Sequence, residues 1–249
     1  MLAGRPPCAV PAFGSCRHAR LAFAHHLNPR PVHRSVRQLL IFALLLAGCR
    51  GATKSEDAPA PLEPVVRPLA PLAAQRVIVT PAFSMIVSDP LGWSTQLPKS
   101  RDYLRQLDDT LQSVLSERGL KSQWIYPPDL VRAMKGSPTY AVDPYSLGAG
   151  MLRSTAVVSG TRLGDPLATQ LRTMIALQED ARAVIVPVEL HFEKEKTGQG
   201  FAVLRVALLD GRIGDVRWVG SVRSDPVDKP SPAMLTSLAT HLADLITSP

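Results

Sequence analysis

The chain has 249 residues and a formal net charge of +7, from 28 lysines and arginines against 21 aspartates and glutamates. Residues 1–48 hold six of the arginines and no lysine, aspartate or glutamate, which leaves 22 basic and 21 acidic residues after them. A nucleic-acid-binding surface needs a surplus of lysine and arginine on one face. The near-neutral remainder of the chain therefore argues against a nucleic-acid partner.

An apolar run from Leu39 to Gly48, followed directly by Cys49, is the first predicted element. The run is only ten residues long, whereas a helix that spans a bilayer needs about 20. The motif LAGC at its end resembles a bacterial lipobox, in which the cysteine receives a diacylglycerol and becomes the first mature residue. The resemblance implies a signal peptide over 1–48 and a lipid on Cys49. The alternatives are an uncleaved apolar helix and a signal peptide cut by a different peptidase.

The basic region before Leu39 is longer than a signal peptide requires. Residues 1–35 are rich in arginine and free of acidic residues, a composition also typical of organellar transit peptides. We favour a misassigned start, with translation beginning near Val32 or Val36. The only other cysteines, Cys8 and Cys16, then lie upstream of the mature protein, so we expect no disulfide and a fold that depends on its core.

Residues 49–74 are rich in proline and alanine. Prolines fix φ and remove backbone donors, which disfavours both helix and sheet. We expect this segment to be an extended, semi-rigid tether that holds a single domain, residues 75–249, away from a membrane surface.

The predicted domain begins with alternating strand and helix signals. The β-branched run 76–80 predicts a buried strand, and residues 83–98 have the composition of a loop. Leucine spacing predicts a helix over 100–118, with Ser100 as N-cap and Gly119 as its stop. The remaining predicted elements are strand 122–126, helix 127–134, a Gly-, Pro- and Ser-rich segment 136–163, helix 165–180, strands 183–192, 201–209 and 216–222, and a helix from residue 231. This order predicts an α/β domain with a mixed sheet, in which a parallel βαβ part joins a three-stranded antiparallel meander and helices pack on the sheet.

Three stretches resemble the α/β domain shared by the TolB amino-terminal domain, the curli-secretion lipoprotein CsgG and the peptidoglycan-synthase activator LpoB. They are RVIVTPAF (76–83) before a helix ending in SERGL, EDARAVIVPVEL (179–190), and LLDGRIGDVRWVG (208–220). The resemblance covers about residues 75–247 and implies that the Asp and Gly of the last stretch form a turn and that Trp218 packs on the sheet. Ile213 stands where the family often has threonine. The chain lacks the long alternating hairpins of a CsgG-like pore.

No catalytic motif is recognisable, and we predict no catalytic residue, no cofactor and no metal site. Glu189, His191 and Glu193 alternate on one strand and share a face, an arrangement that offers a metal one imidazole and two carboxylates. Neighbouring lysines favour a solvated strand end instead. The carboxylate pairs Asp108–Asp109 and Glu179–Asp180 are interpreted as surface charge, because adjacent residues of a helix point in different directions.

These features predict a non-enzymatic binding or assembly module of the bacterial cell envelope, which faces the periplasm and is anchored to the membrane through Cys49. The family resemblance favours the outer membrane and an envelope protein partner. The open alternatives are an envelope hydrolase or transferase with an unrecognised site, and a small-ligand-binding lipoprotein. The oligomeric state is not predicted.

The candidate partner surface is the loop 83–98. Exposed apolar residues on a loop often mark recognition. The apolar residues of this loop are Phe83, Met85, Ile86, Leu91 and Trp93. Segment 136–163 is a second candidate surface. The alternative is that both segments fold back and cover the core.

Overall fold

A computed structural model of the chain describes residues 66–86, 90–140, 142–178 and 181–248. The predicted signal peptide, Cys49 and most of the predicted tether lie outside these residues. Lipid attachment therefore stays a prediction. The pair Glu179–Asp180 also falls outside the described part of the chain.

Ten helices and strands succeed one another along the described residues. They are β1 (Val77–Val79), β2 (Ser84–Met85), α1 (Ser100–Leu115), β3 (Trp124–Ile125), α2 (Pro127–Gly136), α3 (Leu167–Ala176), β4 (Ala183–Lys194), β5 (Gly200–Asp210), β6 (Asp215–Arg223) and α4 (Pro232–Asp244). Shorter helical turns lie at Ala70–Ala74, Ser116–Leu120, Pro138–Tyr140, Pro144–Ser146 and Ala149–Arg153. The long strands and helices match the predicted ones, with ends that differ by a few residues.

The strands form one mixed sheet in the order β3-β1-β4-β5-β6. β1 is parallel to both β3 and β4, whereas β4, β5 and β6 form an antiparallel meander. β2 lies beside the second half of β4, parallel to it, with Ser84 opposite Glu189. The predicted fold class, a mixed α/β sheet with helices packed on it, is confirmed.

Helices cover both faces of the sheet. On one face, α1 and α4 contribute buried leucines such as Leu107, Leu111 and Leu238 to a single apolar cluster. On the other face, Leu171 of α3 packs with Leu152 and their neighbours in a second cluster. Burial of such side chains is the main favourable contribution to folding, at about 25 cal/mol per Å² of apolar surface.

Segment 136–163 covers the second face of the sheet. Its helical turns bury Leu147, Ala149 and Leu152 completely or nearly so. The guanidinium of Arg205 on β5 donates hydrogen bonds of 3.0 Å to the carbonyl oxygens of Leu152 and Ser154. This segment therefore folds back and covers the core, which is the alternative to a partner surface that the sequence left open.

The folded unit begins before residue 75. Leu69 and Leu72 are buried in the cluster of α1 and α4, and the backbone N–H of Leu69 donates to the carbonyl of Leu245 at 3.2 Å. Pro71 stands at the start of the helical turn 70–74, where a missing N–H removes no hydrogen bond. Residues 69–74, which the sequence pattern assigned to the tether, thus pack on the folded unit.

The two predicted signals for α1 have different outcomes. The helix begins at Ser100 with Lys99 in the capping position and no side-chain cap, so the prediction of Ser100 as N-cap is wrong. Gly119 has φ of 85° inside the π-helical turn that follows α1, a conformation that favours glycine. The predicted stop at Gly119 is therefore confirmed.

The hairpin between β5 and β6 has the form that the family resemblance implied. Asp210 Oδ1 accepts hydrogen bonds from the backbone N–H groups of Arg212 and Ile213, at 3.1 and 3.3 Å, which closes the turn. Trp218 packs partly buried against the sheet and lies over Gly220, where a Cβ atom would come within 2.2 Å of its ring. The glycine thus leaves the space that this tryptophan occupies.

Candidate functional site

The carboxyl end of β1 opens into a groove at the edge of the sheet. The connection from β1 leads through α1 to β3 on one side, and the connection from β3 leads back across β1 to β4 on the other. Open α/β sheets bind ligands at the carboxyl ends of parallel strands where the connections diverge in this way. The topology therefore points to this edge before any side chain is considered.

The groove has a volume of about 480 Å³ and runs between α1, β2 and the turn Pro144–Ser146. Its lining residues are Ala82, Phe83, Ser84, Met85, Ser100, Arg101, Leu104, Arg105, Asp108, Asp143 and Tyr145. A smaller cavity of about 110 Å³ shares Arg105, Asp108 and Tyr145 with it and continues to Gln112 and Pro127. The groove itself thus follows α1 from Ser100 to Asp108, a length of about 12 Å at 1.5 Å per residue.

One wall of the groove is an edge strand. Among the described residues β2 pairs only with β4, and no strand lies on its other side. A strand with one unpaired edge offers backbone N–H and C=O groups to another extended chain. The half-buried side chains of Phe83 and Met85 stand beside this edge.

Asp108 lies at the base of the groove and is 7% exposed. Its Oδ1 accepts a hydrogen bond of 2.8 Å from the backbone N–H of Ala82. The pKa of Asp108 is raised from 3.8 to about 7: burial is the largest cause, the hydrogen bond from Ala82 acts in the opposite direction, and the nearby charge of Asp109 adds to the rise. A carboxyl group that changes charge near neutral pH therefore faces the groove.

The interpretation of Asp108 as a surface charge is wrong, although its neighbour Asp109 is exposed. The sequence carried a signal for this difference. Asp108 stands four residues after Leu104 and three before Leu111, so it falls within the apolar stripe of α1 that faces the sheet. A charged residue inside such a stripe is a candidate for a functional or paired group.

Charged and aromatic side chains surround Asp108. Arg101 and Arg105 are exposed on the groove side of α1. Across the groove, Asp143 Oδ1 accepts the backbone N–H of Tyr145 at 3.0 Å and so fixes the turn that carries this tyrosine. Burial raises the pKa of Tyr145, with a further rise from the charge of Asp108, so its hydroxyl remains a hydrogen-bond donor at neutral pH. The groove thus combines apolar contacts, two cations and a titratable acid.

The five residues of the predicted partner surface separate into different environments. Phe83 and Met85 line the groove, and the backbone N–H of Ile86 donates to the carbonyl of Leu190 at 2.8 Å. Leu91 is half-buried against the core, and Trp93 is only 4% exposed. Trp93 is therefore part of the core and not of an exposed partner surface, which is the alternative stated for this loop.

Trp93 is held in the core by an aromatic contact and a close approach. Its ring meets that of Phe192 in an edge arrangement, with 5.9 Å between ring centroids. A Cβ atom on Gly200 would lie 2.4 Å from the Trp93 ring. The tryptophan thus fills space that the glycine leaves open at the start of β5.

The alternating residues Glu189, His191 and Glu193 do not converge on a common point. His191 Nε2 is 3.1 Å from Glu193 Oε1, whereas Glu189 forms an ion pair with Arg153. The described residues contain no group of three or more His, Cys, Asp or Glu side chains that could hold a metal ion.

Fold and groove together define a mixed α/β domain with a ligand-sized groove at the carboxyl edge of its parallel strands. Within the residues that the structure describes, no helix is both long and apolar enough to cross a membrane.

Comparison with known proteins gives only structural neighbours. No protein-family model and no curated protein matches the chain. A PelC dodecamer from Paraburkholderia phytofirmans is similar with a TM-score of 0.35 and 12% identity, over 70% of this chain and 90% of that one. Lipoprotein GNA1162 from Neisseria meningitidis has a TM-score of 0.33 and 16% identity, over 68% of this chain and 96% of that one. LpoB from E. coli has a TM-score of 0.33 and 15% identity, over 90% of this chain and 96% of that one. At these scores no function is transferred from the three proteins.

Proposed function

We propose that this chain is a lipid-anchored binding module of the bacterial cell envelope, and that its groove binds an extended segment of an envelope protein. In this proposal Cys49 carries the lipid, the residues up to about 68 form the tether, and the α/β domain faces the periplasm from the outer membrane. The observation that carries the proposal is the groove of about 12 Å along α1, beside an edge strand.

The anchoring part of the proposal is supported by the amino-terminal sequence. The motif LAGC resembles a lipobox, and the proline-rich residues after it are suited to a spacer. Each buried CH₂ of an attached acyl chain contributes about 0.8 kcal/mol to membrane binding, so two or more chains anchor a protein firmly.

The groove has the dimensions of a site for an extended peptide. An extended chain rises about 3.3 Å per residue, so a groove of about 12 Å accepts about four residues. Pairing with β2 would supply backbone hydrogen bonds, and alternate side chains would contact Phe83, Met85 and Leu104. The guanidinium groups of Arg101 and Arg105 favour a partner segment that carries an acidic residue.

Photocrosslinking from Tyr145 tests the binding part of this proposal. Tyr145 is 50% exposed and lies in the groove, so a photoreactive aromatic residue at this position should crosslink the partner in envelope preparations. Val158 is 60% exposed, does not line the groove, and is the matched control position. We expect one discrete product from position 145 that is absent from position 158.

A charge-reversal pair supplies the second control for the crosslink. Arg101→Glu with Arg105→Glu should abolish the product, whereas Lys121→Glu with Lys135→Glu, which makes the same change at exposed positions outside the groove, should leave it intact. A product of equal yield in both double variants would exclude the groove as the binding surface.

The lipid anchor is tested independently of the groove. The native protein should incorporate labelled palmitate and fractionate with membranes, and Cys49→Ser should lose both properties. Unchanged fractionation of that variant, without label in the native protein, would overturn the anchoring part alone.

A second candidate function is the binding of a small ligand in the same groove. The observation in its favour is the convergence of Asp108, Arg105 and Tyr145 on one cavity, with a carboxyl pKa near 7. Pockets with a few convergent polar groups and a titratable residue are typical small-molecule sites. Native mass spectrometry of protein purified from the envelope distinguishes the two, because a co-purified small molecule lost in Arg105→Glu would favour this candidate.

A further inference from the structure

A second cavity lies at the opposite edge of the sheet, at the amino ends of β1 and β4. Its volume is about 360 Å³. Pro68, Pro71, Leu72 and Leu208 form an apolar wall, and the polar side consists of Gln75, Arg182, Asp210 and Arg217. This cavity shares no lining residue with the groove between α1 and β2.

Asp210 holds two guanidinium groups at the polar side of the cavity. Its Oδ2 accepts hydrogen bonds from Arg182 Nε at 2.8 Å and from Arg217 Nη2 at 2.9 Å. Its Oδ1 accepts the two backbone N–H groups of the β5–β6 turn. The carboxylate is 4% exposed and is fully occupied by these four donors.

The position of Arg217 depends on an irregularity of the sheet. Leu208 pairs with Trp218 while Leu209 pairs with Val216, so Arg217 is the extra residue of a β-bulge. A bulge changes the direction in which a side chain points. Arg217, at this bulge, and Arg182 both reach Asp210 at the same end of the sheet.

The two arginines retain most of their hydrogen-bonding capacity. Arg182 and Arg217 have side chains that are 55% and 49% exposed, and within the described residues each guanidinium donates only to Asp210. Each guanidinium has five N–H donors in a planar fork. Several donors on each group therefore remain available toward the cavity, in side chains that a buried carboxylate already holds in place.

The charge of this cluster favours the binding of an anion. Burial alone raises the pKa of Asp210, but the hydrogen bonds from Arg217, Ile213 and Arg182 outweigh this effect and lower it below 3.8. Asp210 is therefore ionised at neutral pH. Two guanidinium groups and one carboxylate leave a net charge of +1, which a monoanion balances.

We propose that this cavity binds a phosphodiester, with its two non-bridging oxygens on Arg182 and Arg217 and an attached carbon group against the wall of Pro68, Pro71 and Leu72. Guanidinium forks bind phosphate oxygens in pairs, and a diester carries one negative charge together with organic groups. A purely structural role would explain the ion cluster itself, because Asp210 at the end of β5 connects Arg182, next to β4, with Arg217 of β6. It does not account for the cavity or for the remaining donors that face it.

Titration of the full-length protein in detergent micelles with glycerophosphoglycerol tests the proposal. We expect saturable binding that weakens with salt, because the interaction is between charges in a partly exposed site. A second arm uses the Cys49→Ser variant, which lacks the proposed anchor, without detergent: stronger binding to phosphatidylcholine vesicles that contain phosphatidylglycerol than to vesicles without it, and than to the soluble diester, identifies a lipid headgroup as the source. Binding to the soluble diester alone identifies a free phosphodiester, and either result supports the shared chemistry.

Gln75→Glu is the decisive variant, because it adds a negative charge to the cavity without touching the Asp210 cluster. Gln75 is exposed and lines the cavity, and Gln96 is exposed outside it. We expect Gln75→Glu to weaken binding at least about tenfold and Gln96→Glu to leave it unchanged. Arg182→Gln with Arg217→Gln should abolish binding, with circular dichroism as the check on folding.

Three results would overturn the proposal. The first is the absence of saturable binding in both arms, and the second is equal affinity of the Gln75→Glu and Gln96→Glu variants. The third is tighter binding of hexanoate than of the phosphodiester, which would assign the cavity to carboxylates. None of these results bears on the groove, because crosslinking from Tyr145 depends on a different set of residues.

Discussion

Asp108 in the third turn of α1 accepts a hydrogen bond of 2.8 Å from the backbone N–H of Ala82, just beyond the end of β1. This bond fixes α1 against the segment that leads to β2 and so determines the width of the groove at its base. Asp108 therefore contributes to the shape of the groove as well as to its charge.

The first prediction concerns the ionisation of Asp108. Its pKa in the folded protein, about 7, lies above its ordinary value of 3.8, so the folded state binds the proton more tightly than the unfolded state. Stability from this group is highest at low pH and falls as the pH rises from about 4 to 7. Each tenfold change in proton affinity corresponds to about 1.4 kcal/mol, so ionisation of Asp108 costs up to about 4 kcal/mol.

Asp108→Asn tests this dependence, because the amide oxygen can still accept the Ala82 N–H and carries no charge. We expect the variant to be more stable than the native chain at pH 8 and to lose this advantage progressively as the pH falls from 7 to about 4, in urea unfolding followed by circular dichroism. Asp109→Asn, at the exposed neighbouring position, is the control: it removes a charge that raises the pKa of Asp108 but leaves Asp108 buried, so the fall in stability with rising pH should largely remain. Identical pH profiles for the native chain and Asp108→Asn would contradict the raised pKa.

The second prediction separates core from surface in the loop 83–98. Trp93→Ala removes a 4% exposed ring that packs on Phe192 and should lower the free energy of unfolding by about 3–5 kcal/mol. Phe83→Ala truncates a half-buried groove residue and should cost clearly less while it weakens partner crosslinking from Tyr145. A larger loss of stability for Phe83→Ala than for Trp93→Ala would reverse these assignments.

The third prediction concerns the ion pair that joins the ends of α1 and α4. Arg118 lies 2.8 Å from Asp244 and also donates to the carbonyl of Ser248 at 2.8 Å, with side chains 21% and 34% exposed for the pair. We expect Arg118→Ala to cost about 1–2 kcal/mol, since the pair is partly buried and adds a second charge-assisted bond.

The exposed pair of Arg132 and Asp129 on α2 is the matched comparison for Arg118. Arg132 is 78% exposed, and isolated surface pairs contribute about 0–1 kcal/mol. Arg132→Ala should therefore change the urea midpoint much less than Arg118→Ala does. Equal shifts for the two variants would mean that the Arg118 contacts add nothing beyond an ordinary surface pair.

The fourth prediction tests where the folded unit begins. Leu69 is completely buried, so Leu69→Ala should destabilise the domain by about 2–4 kcal/mol, whereas Val66→Ala, at 80% exposure, should have no measurable effect. Thermal unfolding of the full chain measures both. If Leu69→Ala has no effect on stability, the folded unit begins at residue 75, as the sequence predicts.

Most of the fold follows from local patterns in the sequence. The β-branched and alternating runs of β1, β4, β5 and β6 and the leucine stripe of α1 each report how a segment is buried. The order of these segments then implies parallel crossovers followed by a meander. Such patterns extend over many residues, so the mixed sheet was predictable.

The groove was less predictable because it depends on contacts between distant segments. β2 has only two residues, too few for a periodic pattern, and it forms because the chain after β1 lies along β4. The turn that carries Tyr145 comes from the segment without a clear pattern. For Asp108 a local signal existed in the stripe of α1, but its partner, the Ala82 N–H, lies 26 residues away.

The two ends of the described chain are joined at one corner of the domain. Arg67 Nη1 donates to the Ser248 hydroxyl at 2.6 Å, close to the bond between Leu69 and Leu245. A fluorophore or affinity tag fused after the last residue would therefore sit beside the point where the amino-terminal segment enters. In a tethered protein such a label would report on the corner nearest the spacer, next to Pro68 in the wall of the second cavity.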